Sequence, residues 1–89
     1  MKKRIRDLKG FGPKSEEVFA QLNIHSAEQF MQRDPYAIYR ELKQKVEGTG
    51  LNSMYAILGA REDVHWLEIS RVRKTEILMR LDDMGLAPK

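Results

Sequence analysis

Apolar residues recur along this chain at spacings of three and four and almost nowhere alternate residue by residue. That period lays an apolar stripe along a helix and argues against half-buried strands. Ile5 and Leu8 mark a short basic helix over residues 2–9. Val18, Phe19 and Leu22 define one face of a second helix over 13–22, ending near Asn23. Ala27, Phe30 and Met31 form the apolar face of a third over 27–33, and Ile38, Tyr39, Leu42 and Val46 that of a fourth running to about Glu47. Leu51, Met54, Tyr55 and Leu58 predict a fifth, to about Arg61. Ile77, Leu78 and Leu81 supply the stripe of a last helix over 71–84.

The residues between these stripes are start and stop signals. Ser26 with Gln29 reads as a capping box. Asp34-Pro35 is an N-cap followed by proline in the first turn, the clearest boundary of the chain. Gly48-Thr49-Gly50 stops the fourth helix, and Asn52 or Ser53 caps the fifth. Val64–Ile69 reads as a helical turn, Ser70 as the cap of the last helix, and Gly85 and Pro88 as its end. Ala56, Gly59 and Ala60 are small enough to let another helix approach closely. The fold class is all-α: a compact bundle of five or six short helices.

Composition narrows this further. A chain of 89 residues makes one domain, residues 1–89, since a second would lack a core of its own. There is no cysteine, which excludes disulfides, thiol catalysis and thiolate metal sites. The charged N-terminus lacks the apolar stretch of a secretory signal, and no run reaches the length of a membrane span. A cytoplasmic protein without membrane contact is expected. The net charge of +3 hides an asymmetry. Residues 1–14 carry Lys2, Lys3, Arg4, Arg6, Lys9 and Lys14 against Asp7 alone, while the rest of the chain is slightly acidic. Such a distribution favours an anionic partner at one end of the molecule, or else serves solubility alone.

Candidate chemistry gathers at the same end. In Leu8-Lys9-Gly10-Phe11-Gly12-Pro13-Lys14-Ser15, two glycines flank an apolar residue, and proline opens a helix. Glycine permits a tight turn, and Pro13 suits the first helical turn, where an N–H has no use. The amides of Gly10, Phe11 and Gly12 then face an anion at the positive end of a helix dipole. Lys9 and Lys14, with Arg4 and Arg6 on the first helix, add charge. Contacts of this kind hold the phosphate backbone of DNA without reading bases. The competing reading makes the turn a compact connector, with Phe11 plugging the core or packing on a partner protein.

Elsewhere the residues point to structure rather than chemistry. Trp66 reads as a core anchor, Tyr39 and Tyr55 share apolar stripes with leucines, and Tyr36 at a helix start reads as exposed. His25 and His65 have no ligand at helical metal spacing, so no metal or other cofactor is expected. No carboxylate lies in an apolar surround, and neither a nucleophile elbow nor a phosphate-binding P-loop is present, so catalysis is not expected. Arg73 and Arg80 share a helix face that either extends a nucleic-acid surface or is simply solvated; Glu76 and Asp83 favour the latter.

The run Leu8–Leu22 resembles a helix-hairpin-helix motif. It is followed in order by Ile24-His25-Ser26-Ala27-Glu28, Tyr39-Arg40-Glu41-Leu42, Leu51-Asn52, Tyr55-Ala56-Ile57-Leu58-Gly59-Ala60 and His65-Trp66. Taken together the series resembles the C-terminal domain of the TfoX/Sxy family of competence regulators, over roughly residues 5–69. The resemblance implies a bacterial, cytoplasmic, non-enzymatic domain. Two-domain members act in natural transformation as transcriptional co-regulators alongside a cyclic-AMP receptor protein. Because the motif starts within the first ten residues, the family's N-terminal domain is expected to be absent, and the competence role does not follow. Two functions of different class result. One is a regulator that grips DNA through Arg4, Arg6, Lys9, Gly10, Phe11, Gly12 and Lys14. The other is a helical protein-interaction module using Phe11, Trp66 or the Met54 region. Oligomeric state is not set by the sequence.

Overall fold

Helix starts follow the local chemistry of the chain. The computed structural model describes residues 3–87, in which a single 3-10 turn, Ile5–Asp7, precedes five α-helices. Pro13 opens α1 (Pro13–Ala20) directly after Gly12, which takes the N-cap position. Ser26 caps α2 (Ala27–Gln32): its hydroxyl accepts from the Gln29 amide at 3.1 Å, and the Gln29 side chain accepts from the His25 amide. Asp34 caps α3 (Pro35–Lys45) by accepting from the Tyr36 amide at 2.9 Å.

The next two starts differ from the expected ones. Gly50 caps α4 (Leu51–Glu62), which places Asn52 and Ser53 within the first turn. The last helix, α5 (Trp66–Asp83), begins at Trp66 and runs without a break, so Ser70 is an interior residue and not a cap. The cap is His65, whose Nδ1 accepts from the Leu67 amide at 3.1 Å. Asp63, in the left-handed region at φ 60°, closes α4 and turns the chain into this cap. Nothing between residues 66 and 83 is a glycine or proline that could divide the helix. Gly85, at φ 74°, closes α5, with the Leu86 amide donating back to Leu81. Pro88 lies outside the described residues, as does Lys2.

The basic helix expected over 2–9 is the main correction. Only Ile5–Asp7 is helical, with extended backbone at Arg4 and Leu8 on either side. A run this short, rich in like charges and followed by a glycine turn, cannot repay helix nucleation. What fixes the segment is Ile5, which is completely buried, and the Ala27 amide, which donates to Lys3.

One core unites the elements. Phe19 and Leu22, Phe30, Ile38 and Tyr39, Met54 and Leu58, and Ile77 and Leu81 all belong to it. Met31, expected inside, is 43% exposed. Tyr36, expected outside, is buried with the Arg80 guanidinium 4.7 Å above its ring. Trp66 is half-buried and packs against the core. Gly59 allows the α4–α5 corner: a Cβ there would lie 2.7 Å from the Val64 carbonyl oxygen and 3.3 Å from the Trp66 nitrogen.

Candidate nucleic-acid interface

The turn before α1 is built from two short hydrogen-bonded loops. The Leu8 amide donates to Ile5, closing the 3-10 turn, and the Phe11 amide donates to the Leu8 carbonyl at 3.0 Å, closing a β-turn. Lys9 and Gly10 are its central residues, and Gly10 has the positive φ, 82°, that a type II turn requires in its third place. Gly12 is different. Its φ of −150° and ψ of −165° are extended backbone open to any residue, and a Cβ would meet nothing within 4 Å.

Each expected site residue can now be placed. The Phe11 ring lies 5.1 Å from Phe19 and 5.5 Å from Phe30, centroid to centroid, so this side chain plugs the bundle. Its amide is taken up by Leu8 and leaves the donor set. The amides of Gly10 and Gly12 have no acceptor among the described residues, and no side chain caps α1. Two of the three expected donors therefore stand open at the positive end of that helix.

The four basic side chains divide the same way. Arg4 and Arg6 both turn onto Glu16, at 3.1 and 2.8 Å, and the Arg6 Nε adds a third bond at 3.2 Å. The hydrogen bond from Arg6 holds the Glu16 carboxyl below the usual carboxylate range. Glu16 reciprocally raises Arg6. Lys9 and Lys14 are exposed and form no ion pair among the described residues. Among the described residues, the Lys9 and Lys14 side chains and the Gly10 and Gly12 amides thus remain without internal partners along the turn. Lys9 faces a hollow beside α4 and α5 and Lys14 a cleft beside α4, while Arg4 and Arg6 are already partnered by Glu16.

The later basic residues do not extend this surface. Arg73 is held between Glu62 and Glu76, and Arg80 covers Tyr36. What the sequence did not suggest is the nearness of residues fifty-odd positions away. Lys9 and Gly10 share a small hollow of about 30 Å³ with Gly59, His65 and Trp66. The only advance sign was the run of small residues at 56, 59 and 60. Among the described residues no three His, Asp or Glu side chains are grouped to hold a metal ion, and no helix is long and apolar enough to cross a membrane.

Comparison with known proteins gives one result. A family model described as the TfoX C-terminal domain matches residues 1–81. No curated protein and no solved structure matches the chain.

Proposed function

Because the chain belongs to the TfoX C-terminal domain family, we propose that it is a non-enzymatic regulatory domain of the bacterial cytoplasm that associates with DNA through the phosphate backbone. The observation that carries this reading is the turn at Lys9–Lys14. Among the described residues, two amides without internal acceptors and two exposed lysines without carboxylate partners lie within six positions at the start of α1. Such a site suits a phosphate oxygen and offers nothing that distinguishes one base from another, so binding is independent of sequence. Transcriptional control, the family's setting, supplies the context in which a weak backbone grip is useful.

The site is small, and its affinity is correspondingly modest. With two lysines and one amide-bound phosphate, about two or three phosphates are engaged. The logarithm of the binding constant then falls against the logarithm of salt with a slope of about −2 to −3. Anisotropy of a labelled duplex and a labelled single strand, titrated from about 50 to 200 mM salt, measures this slope. Lys14→Glu is expected to weaken retention at every salt concentration. Absence of binding to either strand form at the lowest salt would overturn the proposal.

A further inference from the structure

Between α1 and α4 the surface opens into an apolar cleft of about 250 Å³. Its floor is the buried pair Phe19 and Ile57, and its walls are Phe11, Val18 and Ala56. The volume falls below the roughly 300 Å³ at which small-molecule sites begin, and suits one large side chain rather than a cofactor. Three other depressions are larger, and none is lined mainly by apolar side chains. The one on α3 is formed by Arg33, Arg40, Gln44 and Lys45 around Glu41, which already pairs with Arg33 and Lys45. The remaining two carry charge of both signs. One is lined by Lys3, Lys9 and Arg61 against Asp7, Glu28 and Asp63, the other by Arg4 and Arg6 against Glu16 and Glu17; neither favours a ligand of either sign.

The cleft does favour one. Lys14 is the only charged residue that lines it, and no carboxylate does. Lys14 also lacks an internal ion pair among the described residues. An occupant that seats an apolar side chain here therefore gains by carrying an acid beside it, and a basic flank is repelled. We propose that the α1–α4 cleft is a docking site for an acidic amphipathic segment of a partner protein, which inserts one large apolar anchor against Phe11, Val18 and Ala56 and presents a carboxylate to Lys14. An apolar anchor seated in a pocket beneath a polar rim is the arrangement that concentrates binding energy in protein interfaces. The site stands independently of the phosphate reading but shares Lys14 with it, so an acidic partner and DNA compete.

Three labelled peptides of glutamate and alanine test this: one with a single phenylalanine, one with alanine in its place, and one with lysine for every glutamate. Binding is read by anisotropy and by amide shifts in a nitrogen–proton correlation spectrum. The phenylalanine peptide is expected to shift the amides of Ser15, Val18, Ser53 and Ala56, and to bind about tenfold or more tightly than the other two. Ser53→Leu, at a position that lines the cleft but not the hollow beside Lys9 and Gly10, fills the cleft and abolishes this binding while DNA retention is unchanged, which separates failure of the cleft from failure of the phosphate site. Lys14→Glu, an exposed change with no risk to folding, weakens the glutamate peptide at least severalfold. Equal binding by all three peptides, or shifts confined to other surfaces, would overturn the proposal. So would the same cleft shifts on adding an oligothymidylate, which would make the cleft a pocket for a base.

Discussion

At Gly10 the backbone holds a φ of 82°, a conformation that costs an L-residue about 1–2 kcal/mol. Gly10→Ala is therefore expected to lower the melting temperature by about 4–8 °C or more for a domain of this size, even though its Cβ would meet no neighbour. Gly12 carries no such constraint, and the helix it begins has no side-chain cap. Gly12→Ser supplies a hydroxyl that can accept from the first-turn amides, and should raise stability by a few tenths of a kcal/mol. That bond engages the Lys14 or Ser15 amide and leaves the Gly10 and Gly12 amides free, so DNA retention should hold as stability rises. Thermal melts and anisotropy on the two variants separate the roles. Loss of stability in both would mean that Gly12 has a backbone duty not seen in its dihedral angles.

Among the elements, the α4–α5 corner depends most on a single atom being absent. Alanine is favoured over glycine inside a helix by about 1 kcal/mol, so propensity alone predicts that Gly59→Ala stabilises α4. The added Cβ would lie 2.7 Å from the Val64 carbonyl oxygen, and that atom is backbone, held by the Asp63 turn and the Val64 amide bond to Gly59. Relieving the clash means parting two helices, at a cost of about 1–3 kcal/mol, so the net effect is destabilising. An urea midpoint higher than that of the parent chain would refute this. The sequence shows the small residues here but not what fills the space they leave. It shows helix starts well where a cap and its partner are adjacent, as at Ser26 with Gln29 and at Asp34-Pro35. The start of α5 is hidden in the sequence because its cap is a histidine accepting through Nδ1, whereas serine, as at Ser70, is the commoner N-cap. The first helix is shorter than its pattern predicts because Ile5 and Leu8 fit a 3-10 turn as well as an α-turn, and periodicity across three residues cannot tell the two apart.

For the molecule as a whole, the decisive quantity is how much of its basic end faces solvent unneutralised. Counting along the chain places six basic residues against one acid in residues 1–14, and this made the turn legible as an anion site. The count stops two residues short of Glu16, which the first turn of α1 brings back onto both Arg4 and Arg6. A linear window cannot register that return, and so two arginines and one amide that look free along the chain have partners in the fold. Glu16→Gln reverses the neutralisation without removing a side chain. It is expected to strengthen DNA retention and to steepen the salt slope by up to about 2, the share of two further phosphates. The acid limb of the stability profile checks the same pair from the other side. Since Glu16 titrates below its ordinary value when folded, its stabilising effect is complete above the usual carboxylate range and is lost as pH falls through the lowered value. The parent chain should therefore lose stability on acidification below about pH 4 more steeply than Glu16→Gln does, with Glu76, held down by Arg73, contributing the remaining slope in both. Parallel acid limbs together with unchanged salt slopes would show that the Arg4–Glu16–Arg6 cluster does not persist in solution, and would return both arginines to the phosphate-binding surface.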